Sequence, residues 1–136
     1  MEIVKKNRVL YIDRTSELRN AMARNLSAFG FEVTALEMTR ESEVLSRLRQ
    51  AVYDLLLINS FACMRHVQKL LCRIRSGAAG EPAARITILV TAPEPLSRAE
   101  YVALRRLKAS FLPFLRSPGV WQEKIMLLFE TQGISG

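Results

Sequence analysis

Three polar residues each close a short apolar run. Asp13 follows Val9-Leu10-Tyr11-Ile12, Asn59 follows Leu55-Leu56-Leu57-Ile58, and Thr91 follows Ile86-Thr87-Ile88-Leu89-Val90. Runs of this kind suit strands buried on both faces of a parallel sheet. In an open α/β sheet, chemistry gathers just past the carboxyl ends of the strands. Asn59 therefore stands where a reacting group would sit, yet an amide carries no carboxylate and makes a poor nucleophile. A hydroxyl at a strand end, such as Thr91, is expected to bond the local backbone. The two cysteines, Cys63 and Cys72, are nine apart on one expected helix, on nearly opposite faces. They can neither share a metal nor bridge each other, and read as reduced thiols. His66 stands alone on a basic helix and is assigned no role.

The elements that must position these residues alternate along the chain. The run 9–12 predicts the first strand, and Asp13 or Thr15 can cap the helix behind it. Leu18, Met22, Leu26 and Phe29 form that helix's inner stripe, which Gly30 ends. Phe31, Val33 and Ala35 alternate as a second strand. A second helix is expected over 39–50, with Glu41 and Glu43 in its first turn and Val44, Leu45 and Leu48 inward. The central strand spans 54–59. A third helix over 63–75 carries Val67, Leu70, Leu71 and Ile74 at helical spacing.

Residues 77–84 read as a Gly/Ala/Pro loop. The strand 86–90 ends at Thr91-Ala92. Ser97 and Glu100 have the spacing of a capping box, with Leu96 and Tyr101 as a hydrophobic staple, for a helix reaching Lys108. Phe111 to Leu115 gives the last strand, and Ser117-Pro118 starts a final helix with Trp121, Ile125, Leu128 and Phe129 inward. Five strand–helix units in one chain of 136 residues imply a single α/β domain with a parallel sheet covered on both faces. Its core is expected over about 7–131, with 132–136 a tail or the start of a linker.

Composition narrows the class. Apolar residues make up 49% and charged residues 24%, as in an ordinary globular protein. No apolar run reaches membrane-spanning length, so no membrane is expected as a partner. The run behind the N-terminal cations is too short for a signal peptide, and the expected location is cytoplasmic. The net charge of +7 is uneven: residues 1–59 hold 9 basic and 8 acidic side chains, and residues 60–136 hold 11 and 5. Such asymmetry points to an acidic partner, either protein or nucleic acid.

Four stretches taken in order resemble the receiver domains of bacterial two-component response regulators. Val9-Leu10-Tyr11-Ile12-Asp13-Arg14 is similar to the first strand and its acidic pair. Tyr53-Asp54-Leu55-Leu56-Leu57-Ile58-Asn59 is similar to the strand that ends in the phosphorylated aspartate. Ile88-Leu89-Val90-Thr91-Ala92 resembles the strand with a terminal Thr/Ser-Ala pair. Phe114-Leu115-Arg116-Ser117-Pro118 resembles the strand that ends in Lys-Pro. The resemblance spans nearly all of residues 7–131. It implies a flavodoxin-like (βα)5 doubly wound sheet of strand order 2-1-3-4-5.

The same resemblance marks the site as degenerate: Asp13, Arg14, Asn59, Thr91 and Ser117 occupy the five positions. Arg14 replaces an acid, Asn59 replaces the phosphoacceptor, and no lysine falls at Ser117 or, by spacing, at Phe114. Phosphoryl transfer needs an anionic carboxylate and a metal to offset developing charge. Asp13 alone, beside Arg14, is a poor Mg²⁺ site. The guanidinium of Arg14 is expected to lean toward Asp13 or the neighbouring pocket in place of the ion. No catalysis, cofactor or metal is therefore expected.

What remains for function is the outer surface. The face corresponding to the fourth helix, fifth strand and fifth helix carries dimerisation and output contacts in receivers. Its candidates here are Arg98, Tyr101, Arg105, Phe111, Phe114 and Trp121. Arg65, Lys69 and Arg73, spaced by four on the third helix, form a candidate basic stripe, with no acid between Ser60 and Gly80. The expected function is that of a non-catalytic pseudo-receiver. It would act by phosphorylation-independent protein interaction or dimerisation in bacterial regulation. The alternative is a basic receiver-like module of a transcription regulator that contacts nucleic acid, although no helix-turn-helix or aromatic platform is evident.

Overall fold

A computed structural model of the chain describes residues 7–13, 16–37, 40–59, 64–92, 95–113, 123 and 125–127. The elements are β1 (Arg8–Ile12), α1 (Ser16–Ala28), β2 (Glu32–Leu36), α2 (Glu41–Gln50) and β3 (Leu55–Asn59). They continue with α3 (Met64–Arg75), the single turn α4 (Glu81–Ala84), β4 (Thr87–Ala92), α5 (Arg98–Arg106) and β5 (Ala109–Pro113). Residues 123 and 125–127 are again helical. The sheet order is β2-β1-β3-β4-β5, with every pair parallel. This is the 2-1-3-4-5 order expected from the sequence.

All five residues of β3 are buried, because it is the middle strand and is covered on both faces. The pleat divides its side chains. Leu56 and Ile58 join Leu10, Ile12, Ile88 and Val90 beneath α2, α3 and α5. Leu55 and Leu57 join Val9, Tyr11 and Leu89 beneath Met22 and Leu26 of α1 and Ile125 of the last helical stretch. Each fully buried Leu or Ile is worth about 1.5–3 kcal/mol of transfer free energy, so β3 anchors both layers. The register sets Ile12 beside Ile58 and Asn59 beside Thr91, which aligns the carboxyl ends of β1, β3 and β4.

Helix ends follow local chemistry. After α1, Gly30 takes φ +97°, and the Phe31 N–H returns to the Leu26 carbonyl at 3.1 Å, closing the last turn. After α3, Gly77 takes φ +95°, and Ala78 N–H reaches the Arg73 carbonyl at 3.0 Å. The Ser97–Glu100 capping box forms with both reciprocal bonds, at 3.1 and 2.9 Å. α2 instead starts at Arg40 without a side-chain cap.

Four expectations need correction. Phe29 is 38% exposed: it lies beyond the last residue of α1, where the chain has left the helical stripe. The 77–84 loop contains the turn α4, which Pro82 suits by presetting φ in the first turn. β5 begins two residues earlier than expected, at Ala109, and runs at least to Pro113; the expected end at Leu115 lies outside the described residues. Leu96 packs on the larger core while Tyr101 stays 49% exposed, so the supposed staple does not bury its second member.

Candidate functional site: a sealed polar chain and a basic groove

Asp13 lies one residue beyond β1. Its backbone is held on both sides: its N–H donates to the Leu36 carbonyl (3.1 Å), and its carbonyl accepts from Arg19 Nη1 (3.0 Å). Asn59 ends β3, and Thr91 sits beside it on β4 by register. Tyr11, two residues before Asp13, shares its side of the pleat. These four form one hydrogen-bonded chain. The Tyr11 hydroxyl donates to Asp13 Oδ2 at 2.5 Å, Asn59 Nδ2 donates to the same oxygen at 3.1 Å, and the Thr91 hydroxyl donates to Asn59 Oδ1 at 3.1 Å. Tyr11, Asp13 and Thr91 are completely buried and Asn59 is 1% exposed.

The electrostatics follow from that enclosure. Burial, and then the hydrogen bond and charge of Asp13, push the Tyr11 phenol far above its ordinary range, so it stays a neutral donor. The Asn59 amide fits its place by carrying both polarities: it donates to a carboxylate on one side and accepts a hydroxyl on the other. A carboxylate there would offer acceptors in both directions.

A receiver fold implies a Mg²⁺ ion, and these residues do not fit one. Magnesium asks for several oxygen ligands in octahedral array, usually with more than one charged oxygen or a phosphate. Here Asp13 is the single carboxylate of the described set. Its Oδ2 already accepts two donors, and the Asn59 oxygen accepts the Thr91 hydroxyl. Among the described residues no group of three His, Cys, Asp or Glu side chains could hold a metal.

Of the five sequence-derived positions, the structure brings Asp13, Asn59 and Thr91 together; Arg14 and Ser117 lie outside the described residues. Thr91 was expected to bond the local backbone and bonds the Asn59 side chain instead, because parallel register puts the two side by side. Tyr11 and Arg19 were not singled out from sequence. The signal for Tyr11 was its two-residue spacing from Asp13; Arg19 had none, since it contacts a backbone carbonyl.

The second polar region lies near the C-terminal end of α5. A groove of about 1020 Å³ runs between α5, the amino ends of β4 and β5, and Arg75 of α3; Arg85, Arg105, Arg106 and Lys108 also line it. Arg75 forms its floor. Nε donates to Leu107 O (2.7 Å), Nη1 to Ala84 O (3.0 Å) and Ile86 O (2.7 Å), and Nη2 to Lys108 O (3.0 Å). One guanidinium thus ties the ends of α3, α4 and α5 to the start of β4, and its burial lowers its pKa from the usual value.

Of the expected interaction surface, Arg98, Tyr101 and Arg105 are exposed on α5, and Tyr101, Arg105 and Phe111 line the groove. Phe111 is half-buried and packs on the larger core, so it is mainly a structural residue. Phe114 and Trp121 lie outside the described residues, as does Cys63; Cys72 is an exposed free thiol. Arg65, Lys69 and Arg73 are all exposed on α3 as expected. The stripe is not uncompensated, however: Arg73 pairs with Glu41 of α2 at 3.4 Å, an acid that sequence distance concealed. Among the described residues no helix is long and apolar enough to cross a membrane.

A scan of protein-family models finds no match to this sequence, and a search of curated proteins finds none either. Solved structures do match over most of the chain. The chemotaxis response regulator CheY4 of Vibrio cholerae is similar with a TM-score of 0.76 at 16% identity, covering 91% of this chain and 99% of that one. An orphan response regulator of H. pylori, HP1043, is similar with a TM-score of 0.72 at 22% identity, covering 90% and 95%. An atypical orphan response regulator, described with a phosphorylation-independent regulatory mechanism, gives 0.69 at 22% identity, again covering 90% and 95%. The chain has the CheY-like receiver fold.

Proposed function

We propose that this chain is a pseudo-receiver. It is a non-catalytic signalling module of bacterial regulation that works through protein contact or dimerisation, independently of phosphorylation. The observation that carries this reading is the Asn59 amide, bonded to Asp13 on one side and Thr91 on the other in a buried site. No carboxylate stands at the acceptor position, and the neighbouring acid is engaged by Tyr11. The contact surface is the exposed side of α5 with β5 and the helical stretch 125–127, where Tyr101, Val102, Met126 and Leu127 are each 40–49% exposed.

The test is intact-mass analysis after incubation with acetyl phosphate and Mg²⁺. The chain is expected to gain no phosphoryl group. The Asn59→Asp variant is expected to gain none either, because no lysine is available and Arg14 adjoins Asp13. Uptake by the wild-type chain, or full restoration by that one substitution, overturns the reading.

A further inference from the structure

The groove beside α5 differs from the sealed pocket in having charge to spare. Arg85, Arg105, Arg106 and Lys108 are exposed, and among the described residues no acid lines the groove. Arg85 does pair with Glu81 at 3.3 Å, but both side chains are more than four-fifths exposed, so the pair binds weakly. The C-terminal carbonyls of α5 would ordinarily repel an anion. Here Arg75 sets a cation at that end, bonded to the Leu107 and Lys108 carbonyls just past the helix, which offsets part of that repulsion. α5 itself is thinly docked: Leu104 is its one buried residue, and Tyr101, which lines the groove, stays 49% exposed.

We propose that this groove docks an acidic, extended segment of a partner protein, with Arg105, Arg106 and Lys108 meeting its carboxylates and Tyr101 anchoring an apolar side chain. This rests on the reading of the chain as a protein-contact module and names the chemistry of its partner. Guanidinium forks match carboxylates bidentately, and an exposed tyrosine supplies contact area at low entropic cost. The volume, about 1020 Å³, is at the upper end of the range for a binding cleft. Nucleic acid fits less well. A single strand needs a row of aromatic faces to stack its bases, and the described lining offers Tyr101 and the half-buried Phe111. The convex basic stripe on α3, the other place for a phosphate backbone, is compensated in part by Glu41.

The experiment is fluorescence anisotropy on the whole chain with a labelled oligoglutamate peptide carrying a central leucine. An oligothymidine of equal charge is the competitor. Saturable binding of the peptide is expected, weakened about tenfold or more by Arg105→Glu with Arg106→Glu, and by less when both are changed to Gln. Arg65→Glu with Lys69→Glu on α3 is expected to change it by less than about twofold. Circular dichroism of each variant separates loss of binding from loss of fold, and the Gln pair carries the test should the Glu pair not fold. Equal losses from the α3 variant, tighter binding of oligothymidine, or no saturable binding overturns the proposal. Failure of the peptide alone removes the groove and leaves the phosphorylation-independent reading intact. Phosphoryl uptake removes that reading and says nothing against the groove.

Discussion

At the carboxyl ends of β1, β3 and β4, Tyr11, Asp13, Asn59 and Thr91 spend their polar groups on one another. At the C-terminal end of α5, exposed cations line an open groove. Both regions obey the rule that a buried polar group must find a partner. They differ in what is left over. The pocket is buried and its side chains are bonded to one another, so it stabilises the fold. The groove half-buries one guanidinium, satisfies it with backbone carbonyls, and leaves Arg105, Arg106 and Lys108 exposed to water. A receiver-fold site that must react needs an unmatched charge. Among the described residues the groove gathers exposed cations, which the pocket lacks.

Unbalancing the closed pocket gives the sharpest test of that contrast. Asn59→Asp sets a second carboxylate where an amide now approaches Asp13 Oδ2 to 3.1 Å, in a site 1% exposed or less. It also deletes the donor. The expected loss is about 3–4 kcal/mol near neutral pH, read as a lower urea midpoint. The pair is expected to hold one proton in the folded state well above the unfolded carboxylate value of about 4. The folded state then binds more protons than the unfolded state across that interval. Stability is therefore regained as the pH falls toward about 4 and is lost as it rises. An Asn59→Asp chain as stable as wild type at neutral pH would mean that the amide does not close the site.

The groove is expected to respond differently, through shape. Arg75→Ala removes four N–H···O bonds to the carbonyls of Ala84, Ile86, Leu107 and Lys108. Because Arg75 is only half-buried, water recovers part of the loss, and about 2–3 kcal/mol is expected. Arg75→Lys keeps the charge, but its compact ammonium cannot span carbonyls from three elements, so it should recover less than half. Amide exchange is expected to accelerate around 84–86 and 107–108 in both variants while Asn59 and Thr91 stay protected. Equal acceleration at the pocket would show that the two regions are not independent.

The pocket was the more legible of the two from sequence. Continuous apolar runs marked β3 and β4, because strands covered on both faces need no alternation, and the polar residue closing each run marked the site. Tyr11 escaped because it reads as one more apolar residue of β1; only the pleat reveals that it points at Asp13. The stripe Val67, Leu70, Leu71 and Ile74 was legible because one strong helical period ran through it. The same reasoning failed at Phe29, where the period ran on past the end of the helix. Arg75 carried no signal of its role. Its partners are main-chain carbonyls up to 33 residues away, and any residue type supplies a carbonyl. Glu41 stayed hidden as the partner of Arg73 for a related reason, since the two helices meet only after folding.

The smallest expected effect opens the pocket by one link. Tyr11→Phe keeps the ring in the core and removes the bond to Asp13 Oδ2, while the Asn59 amide still donates to that oxygen. The expected cost near neutral pH is about 1 kcal/mol. The pH dependence separates this bond from ordinary packing. The folded phenol is pushed up, chiefly by burial, while the unfolded phenol ionises near pH 10. Its contribution is whole below about pH 10. Above that the unfolded chain releases a proton that the folded chain keeps, so stability falls as pH rises. Wild type should therefore lose its advantage over Tyr11→Phe between neutral pH and strongly alkaline pH, measured by urea midpoints on both chains. A constant difference across that range would mean that the phenol is reachable by water and the pocket is not sealed.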